Sequence, residues 1–176
     1  MLFSVVLLIG RAYISRMKIL KAYRYRLKPS KTQALMLESF AGHCRFVWNK
    51  CWRMNIDRLK NKQHIMYYRE MDFFSKMWKK SEEYGFLKEC PAHCIQQKLK
   101  DLERAFLDCF DKSQPNKKLP LKRKKNIHDS IRFPQPAHIE LEYNRIKLPK
   151  LGWMKFFHSR KVEGTILYLD MAIIGM

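Results

Sequence analysis

Acidic residues are scarce in this chain: 16 Asp and Glu stand against 36 Lys and Arg, a formal net charge of +20 over 176 residues. A folded domain with that excess repels itself until a polyanion neutralises it, so the partner is nucleic acid, an anionic membrane surface or an acidic protein. A hydrophobic run long enough to cross a bilayer is also missing. The apolar opening stretch ends by residue 9, and its basic residues, Arg11 and Arg16, follow it, the wrong order for a secretion signal. The cysteines lack a partner scheme. There are five (Cys44, Cys51, Cys90, Cys94, Cys109), an odd number without disulfide spacing, as in a cytosolic protein with reduced thiols. Cys90-Pro-Ala-His93-Cys94 superficially suggests a metal site, but a zinc site takes four ligands and the second pair would have to come from distant His43 and Cys44. Buried thiols acting as small hydrophobes are the simpler reading.

What is present is enough apolar material for a core: 47% hydrophobic, 13% aromatic. That excludes a disordered basic tail. The charge is unevenly spread. Residues 1–62 hold 14 basic and 2 acidic residues, residues 63–112 hold nine of each, and residues 113–161 hold 13 basic and three acidic. Two basic arms thus flank a neutral middle. One-signed blocks with interleaved aromatics suit a surface that follows a phosphate backbone better than a solvated face of mixed charge. Nucleic acid is therefore preferred over a membrane or an acidic protein.

Patterns along the chain give an outline. A coherent pattern begins at Met17, which makes residues 1–16 a non-native leader in this reading. Residues 18–28 alternate Tyr with Arg from Ala22 onward, a strand with one basic face ended by Pro29. Ser30 is a helix cap. From Thr32 the period becomes helical, with Leu37, Phe40, Cys44, Val47, Cys51 and Met54 on one stripe and an end near Asn61. Gly42 marks a bend or close contact within one continuing helix. A second helix is predicted over 67–80 with Met71, Phe74, Met77 and Trp78 inward. A third starts at Pro91 with Ile95, Leu99, Leu102, Phe106 and Phe110 inward. Residues 113–126 are polar, Pro-containing and basic, and read as a linker. Short strands are then predicted at 130–133, 138–142, 145–148, 152–158 and 164–169. The order strand, helices, strands predicts an α+β fold: a small wedge-like β-barrel, split as 17–29 plus 127–176, with a helical domain (30–112) inserted after its first strand.

Four stretches carry a resemblance. Lys21-Ala-Tyr-Arg-Tyr-Arg-Leu-Lys-Pro-Ser-Lys-Thr-Gln33 looks like an opening strand and helix start. Arg45-Phe-Val-Trp-Asn49 looks like a first-helix signature, Gln96-Gln-Lys-Leu-Lys-Asp-Leu-Glu-Arg-Ala-Phe106 like a later helix, and Ile146-Lys-Leu-Pro-Lys-Leu-Gly-Trp153 like a barrel signature. In this order, over residues 17–166, the chain resembles the N-terminal half of OrfB/TnpB transposase-associated proteins of bacterial and archaeal insertion sequences. The resemblance implies kinship with miniature RNA-guided DNA nucleases related to type V CRISPR effectors. In such proteins a wedge-like barrel holds guide RNA and a helical, REC-like lobe holds the guide–target duplex. The opening region is described there as a helix-turn-helix.

The family's chemistry lies in a RuvC-like domain with three carboxylates around two Mg²⁺ ions, interrupted by a zinc ribbon. The last 50 residues here offer only Asp129, Glu140, Glu142, Glu163 and Asp170. Nor do they contain paired Cys-x-x-Cys knuckles. The expectation is a cytoplasmic binding protein without catalytic residues or cofactors, its Mg and Zn sites lying outside this sequence. The apolar ending, Leu167 to Met176, reads as a frameshift or truncation that would leave an unpaired barrel edge and fold poorly. Alternatives are an enzyme that borrows carboxylates from another chain, an autonomous DNA-binding regulator with a tight turn between two helices, and a decayed reading frame. Arg24, Arg26, Lys28, Arg45, Lys50, Arg53, Lys122, Arg123, Lys124, Lys125, Lys147, Lys150 and Lys155 are the expected phosphate contacts, mostly to RNA. Tyr67, Gln96 and Gln135 fall where the family's motif-reading side chains would lie.

Overall fold

The computed structural model describes residues 2–10, 20–113, 118–125, 128–161 and 165–174. It divides into two units, residues 1–41 with 126–176, and residues 42–125.

The first unit is a seven-stranded antiparallel sheet. Its strands are β1 (Leu2–Gly10), β2 (Leu20–Lys28), β3 (His128–Phe133), β4 (Glu140–Glu142), β5 (Arg145–Leu148), β6 (Gly152–Phe156) and β7 (Thr165–Ile174), in the order β3-β7-β1-β2-β6-β5-β4. The expected pairing of the Tyr/Arg strand with later strands is present: Leu27 lies opposite Phe156 and Lys28 opposite Lys155. Among the described residues the ladders end at β3 and β4, so the sheet is a curled half-barrel and not a closed barrel. The alternation in β2 does what its period dictates. Tyr23, Tyr25 and Leu27 are buried while Arg24, Arg26 and Lys28 are exposed. The Tyr25 hydroxyl donates to the Arg160 carbonyl at 2.9 Å. Burial, above all, holds its pKa above the usual phenol value, and the nearby Tyr23 adds to this.

Both end segments are strands of this sheet. Leu2–Gly10, assigned above to a leader (its remaining residues, 11–16, lie outside the described set), is paired on both sides, with β2 and β7. Thr165–Ile174, which begins in the predicted 164–169 strand, lies between β1 and β3. The physical reason is shared. Each is a mostly apolar run, and an interior strand flanked by other strands accommodates such a run where an edge would not.

Helix α1 (Lys31–Lys60) begins in this unit, behind Pro29. Ser30 and Gln33 cap it reciprocally: the Gln33 backbone N–H donates to Ser30 Oγ (3.2 Å) and the Ser30 backbone N–H to Gln33 Oε1 (3.0 Å). Gln33 Nε2 also donates to the carbonyls of Leu151 (3.0 Å) and Trp153 (2.9 Å), fastening the helix start to the β5–β6 turn. Loss of these bonds in Gln33→Ala should cost about 2 kcal/mol and lower the melting temperature by about 4–8 °C, read by circular dichroism. A shift below 1 °C would show the fastening to be idle.

The second unit holds the rest of α1, then α2 (Tyr68–Lys80), a 3-10 turn (Gly85–Lys88) and α3 (Ala92–Phe110). Val47, Cys51, Met66, Met71, Leu87, Ile95, Leu99, Leu102 and Phe106 form its core. The α3 stripe matches its prediction except at Phe110, which is 50% exposed. On α2 the inward set is Met71, Asp72 and Ser75, while Met77 is half exposed. Asp72 tolerates burial because Lys76 pairs with it at 2.8 Å. The end of the α1 stripe also shifts: Asn55 is buried and Met54 only partly so. Asn55 accepts from the Met66 N–H (2.7 Å) and donates to the Met66 carbonyl (3.4 Å), closing the loop after α1. Cys44, Cys51, Cys90 and Cys94 are buried and unoxidised. Burial pushes the Cys51 thiol up to about 12.

Candidate nucleic-acid interface

The first unit's exposed sheet face concentrates positive charge by register. Lys28 on β2 lies opposite Lys155 on β6, and Lys155 lies opposite Arg145 on β5. Like charges directly opposite one another destabilise a sheet unless an anion joins them. Arg145 has Glu142 at 2.6 Å, whereas among the described residues neither Lys28 nor Lys155 makes an ion pair. Arg24 and Arg26 continue the same face of β2. Beside them an open cavity of about 410 Å³ is lined by Arg26, Leu27, Lys28, Pro29, Ser30, Lys31, Ala34 and Phe157. The Arg26 guanidinium lies 5.7 Å from the centre of the half-exposed Phe157 ring. Cation, aromatic and concavity thus coincide, the combination that grips a phosphate and stacks a base.

The remaining predicted residues of this unit sit differently. Lys147 is held by Glu140 at 2.8 Å and lies 5.7 Å from the Trp153 ring. Lys150 is exposed in the β5–β6 turn with a left-handed φ of 64°. Gln135 is half-buried just before a 3-10 turn, where its carbonyl accepts from the His138 N–H. Lys31, Arg145 and Phe157 were not singled out from sequence, because only strand register and the fold of the 157 segment bring them to this face.

In the second unit, Arg53 is exposed and Arg45 half-buried on α1. Lys50 is caged by aromatics, its Nζ 3.5 Å from the Tyr84 ring centre and 4.7 Å from that of Trp78. The cage itself stabilises that ammonium. Gln96 Nε2 reaches Asp72 Oδ1 at 3.4 Å, linking α3 to α2. Tyr67 caps α2, about half exposed.

The basic segment read as a linker is held in place over its described part. Trp52 Nε1 donates to the Pro120 carbonyl (2.7 Å) and Trp48 Nε1 to that of Leu121 (3.1 Å). Asn49 clasps Arg123 twice, donating to its carbonyl (2.9 Å) and accepting from its N–H (2.8 Å). Lys122, Lys124 and Lys125 are exposed along it. Residues 114–117 and 126 of the expected linker lie outside the described residues.

Three of the late carboxylates are engaged by cations. Asp170 is engaged by Arg132 through two bonds (2.6 and 3.1 Å), Glu140 by Lys147 and Glu142 by Arg145. Glu163 lies outside the described residues. Among the described residues no three His, Cys, Asp or Glu converge as metal ligands, and no helix is long and apolar enough to cross a membrane.

Comparison with known proteins fits this geometry. Residues 17–64 match HTH_OrfB_IS605, a helix-turn-helix domain. In this structure that stretch carries β2 and then one uninterrupted helix from Lys31 to Lys60, without a turn at Gly42. The chain is 37% identical over 151 residues to "Putative RNA-guided DNA endonuclease InsQ" of Escherichia coli (strain K12), covering 85% of this chain and 37% of that protein. It is 32% identical over 95 residues to a "Putative RNA-guided DNA endonuclease" of Streptomyces pristinaespiralis, covering 54% of this chain and 24% of that one. The chain therefore spans well under half the length of either curated relative.

Proposed function

We propose, from the premise that this chain belongs to the OrfB/TnpB family of insertion-sequence proteins, that its 176 residues bind guide RNA and target DNA and do not cut either. The observation that carries the reading is the row Lys28–Lys155–Arg145 across three adjacent strands, continued by Arg24 and Arg26 beside the Phe157 cavity. Opposed cations are stable there when a phosphate backbone lies across them. The half-barrel acts as the RNA holder. The helices of the second unit act as a REC-like lobe for the guide–target duplex, with Tyr67 and Gln96 as base contacts there and Gln135 as one in the first unit. The protein works in the cytoplasm, and the Mg²⁺ and Zn²⁺ chemistry of the family draws on residues other than these.

A DNA-binding regulator is less well supported, since its recognition helix would follow a tight turn and α1 runs unbroken. The test is binding and cleavage together. Fluorescence anisotropy should show structured RNA bound at 0.1 M salt, and no strand should be cut when Mg²⁺ and duplex DNA are added. Absence of binding even at low salt would defeat the reading. So would Mg²⁺-dependent cutting that is lost in Asp170→Asn or Glu140→Gln.

A further inference from the structure

The segment 118–125 has the composition of a flexible basic linker, yet its backbone is held at three of four successive residues. Trp52, Trp48 and Asn49 bind the peptide groups of Pro120, Leu121 and Arg123. These three side chains stand on one side of α1, at spacings of one, three and four residues, so a single helix face holds the segment beside it. Asn49 meets both the N–H and the carbonyl of Arg123, as a neighbouring β-strand would.

The side chains then sort by position. Trp48 is 4% exposed, and the Arg123 guanidinium carbon lies 4.2 Å from its ring centre. Arg123 Nε is buried without a hydrogen-bond partner. Lys118, Lys122, Lys124 and Lys125 are exposed, and among the described residues none of these five cations makes an ion pair. A guanidinium held over an indole has the donors at its rim restrained, and a guanidinium grips a phosphate through two donors.

We propose that residues 118–125 are a pre-ordered phosphodiester-binding strand, with Trp48, Asn49 and Trp52 as its positioning residues and Arg123 as its fixed anion contact. This rests on the nucleic-acid reading above and deepens it. Holding the segment in place removes the ordering cost that a flexible lysine-rich linker would meet on binding. The role of the Trp-Asn pair in Arg45-Phe-Val-Trp-Asn49 is therefore to organise charge that lies some 70 residues further along the chain.

Asn49→Ala separates order from charge, because it removes both clasps and leaves every cation in place. The full chain is titrated with a single-stranded RNA and, separately, a DNA duplex, at several salt concentrations. Asn49→Ala should weaken binding about five- to tenfold with an unchanged salt slope. Lys122→Ala with Lys124→Ala should flatten the slope by about 1.4 units on single-stranded RNA and about 1.8 on duplex. Whichever nucleic acid shows both effects is the one held by the strand. Trypsin reports order directly: cleavage at residues 122–125 should be slow in the native chain and fast in Asn49→Ala. Faster cleavage with unchanged affinity for both nucleic acids would overturn the proposal while leaving the sheet-face reading intact. A native chain that binds neither nucleic acid would defeat both. If Asn49→Ala does not fold, Trp52→Phe loses the 2.7 Å indole bond, keeps a ring, and is read in the same way.

Discussion

Replacing Arg24 and Arg26 together with alanine should weaken binding to all sequences alike, by about 25- to 60-fold at 0.1 M salt, and flatten the log–log salt dependence by about 1.4 to 1.8 units. The lower figures apply to single strands and the upper to duplex. Both side chains point out from β2 while Tyr23, Tyr25 and Leu27 point in, so the double variant leaves the core untouched and its melting temperature should not move. Gln96→Ala is the control. It removes a polar contact to Asp72 and no charge, so the slope should stay as it is. Anisotropy titrations of the three proteins decide the matter. If the double variant keeps its affinity and slope, the basic face of β2 is solvated surface and the half-barrel does not hold nucleic acid.

The largest stability loss is expected at Asn55, a polar residue in the second unit's core, fully buried. Asn55→Leu keeps the branched shape but strands the N–H and carbonyl of Met66, which Asn55 now satisfies at 2.7 and 3.4 Å. Two buried peptide groups without partners should cost about 3 kcal/mol, a fall in melting temperature of about 6–12 °C. The loop between α1 and α2 should become protease-sensitive at the same time. A variant as stable as the parent would mean that the loop repacks and that Asn55 is not its anchor.

Much of this was legible from residues alone. The Tyr/Arg alternation of 22–28 could only form a strand with one basic face, because side chains in a strand alternate with period two. Ser30, behind Pro29, marked where α1 begins, and the α3 stripe from Ile95 to Phe106 marked which side is buried. These signals are local: they depend on neighbours within about a turn of helix or two residues of strand.

The misreadings came from partners far off in the chain. Met54 closed the predicted α1 stripe, whereas the structure buries Asn55, whose backbone partner Met66 lies across a loop. Met77 and Phe110 looked like core because helical period marks a stripe without marking how wide the covering neighbour is. The segment 118–125 looked like a linker because composition reports flexibility in isolation, and nothing within it shows that two indoles and an amide on α1 take its peptide groups.

The sequence by itself determined the sign and the blocks of charge, the strand-then-helix order, and the basic face of β2, since all three follow from short-range periodicity and counting. Only the tertiary structure decided which cations stand together. Lys28, Lys155 and Arg145 are joined by strand register, which long-range hydrogen bonding sets. Arg123 is fixed by Trp48 and Asn49, 75 and 74 positions earlier, through side-chain bonds that no local pattern encodes.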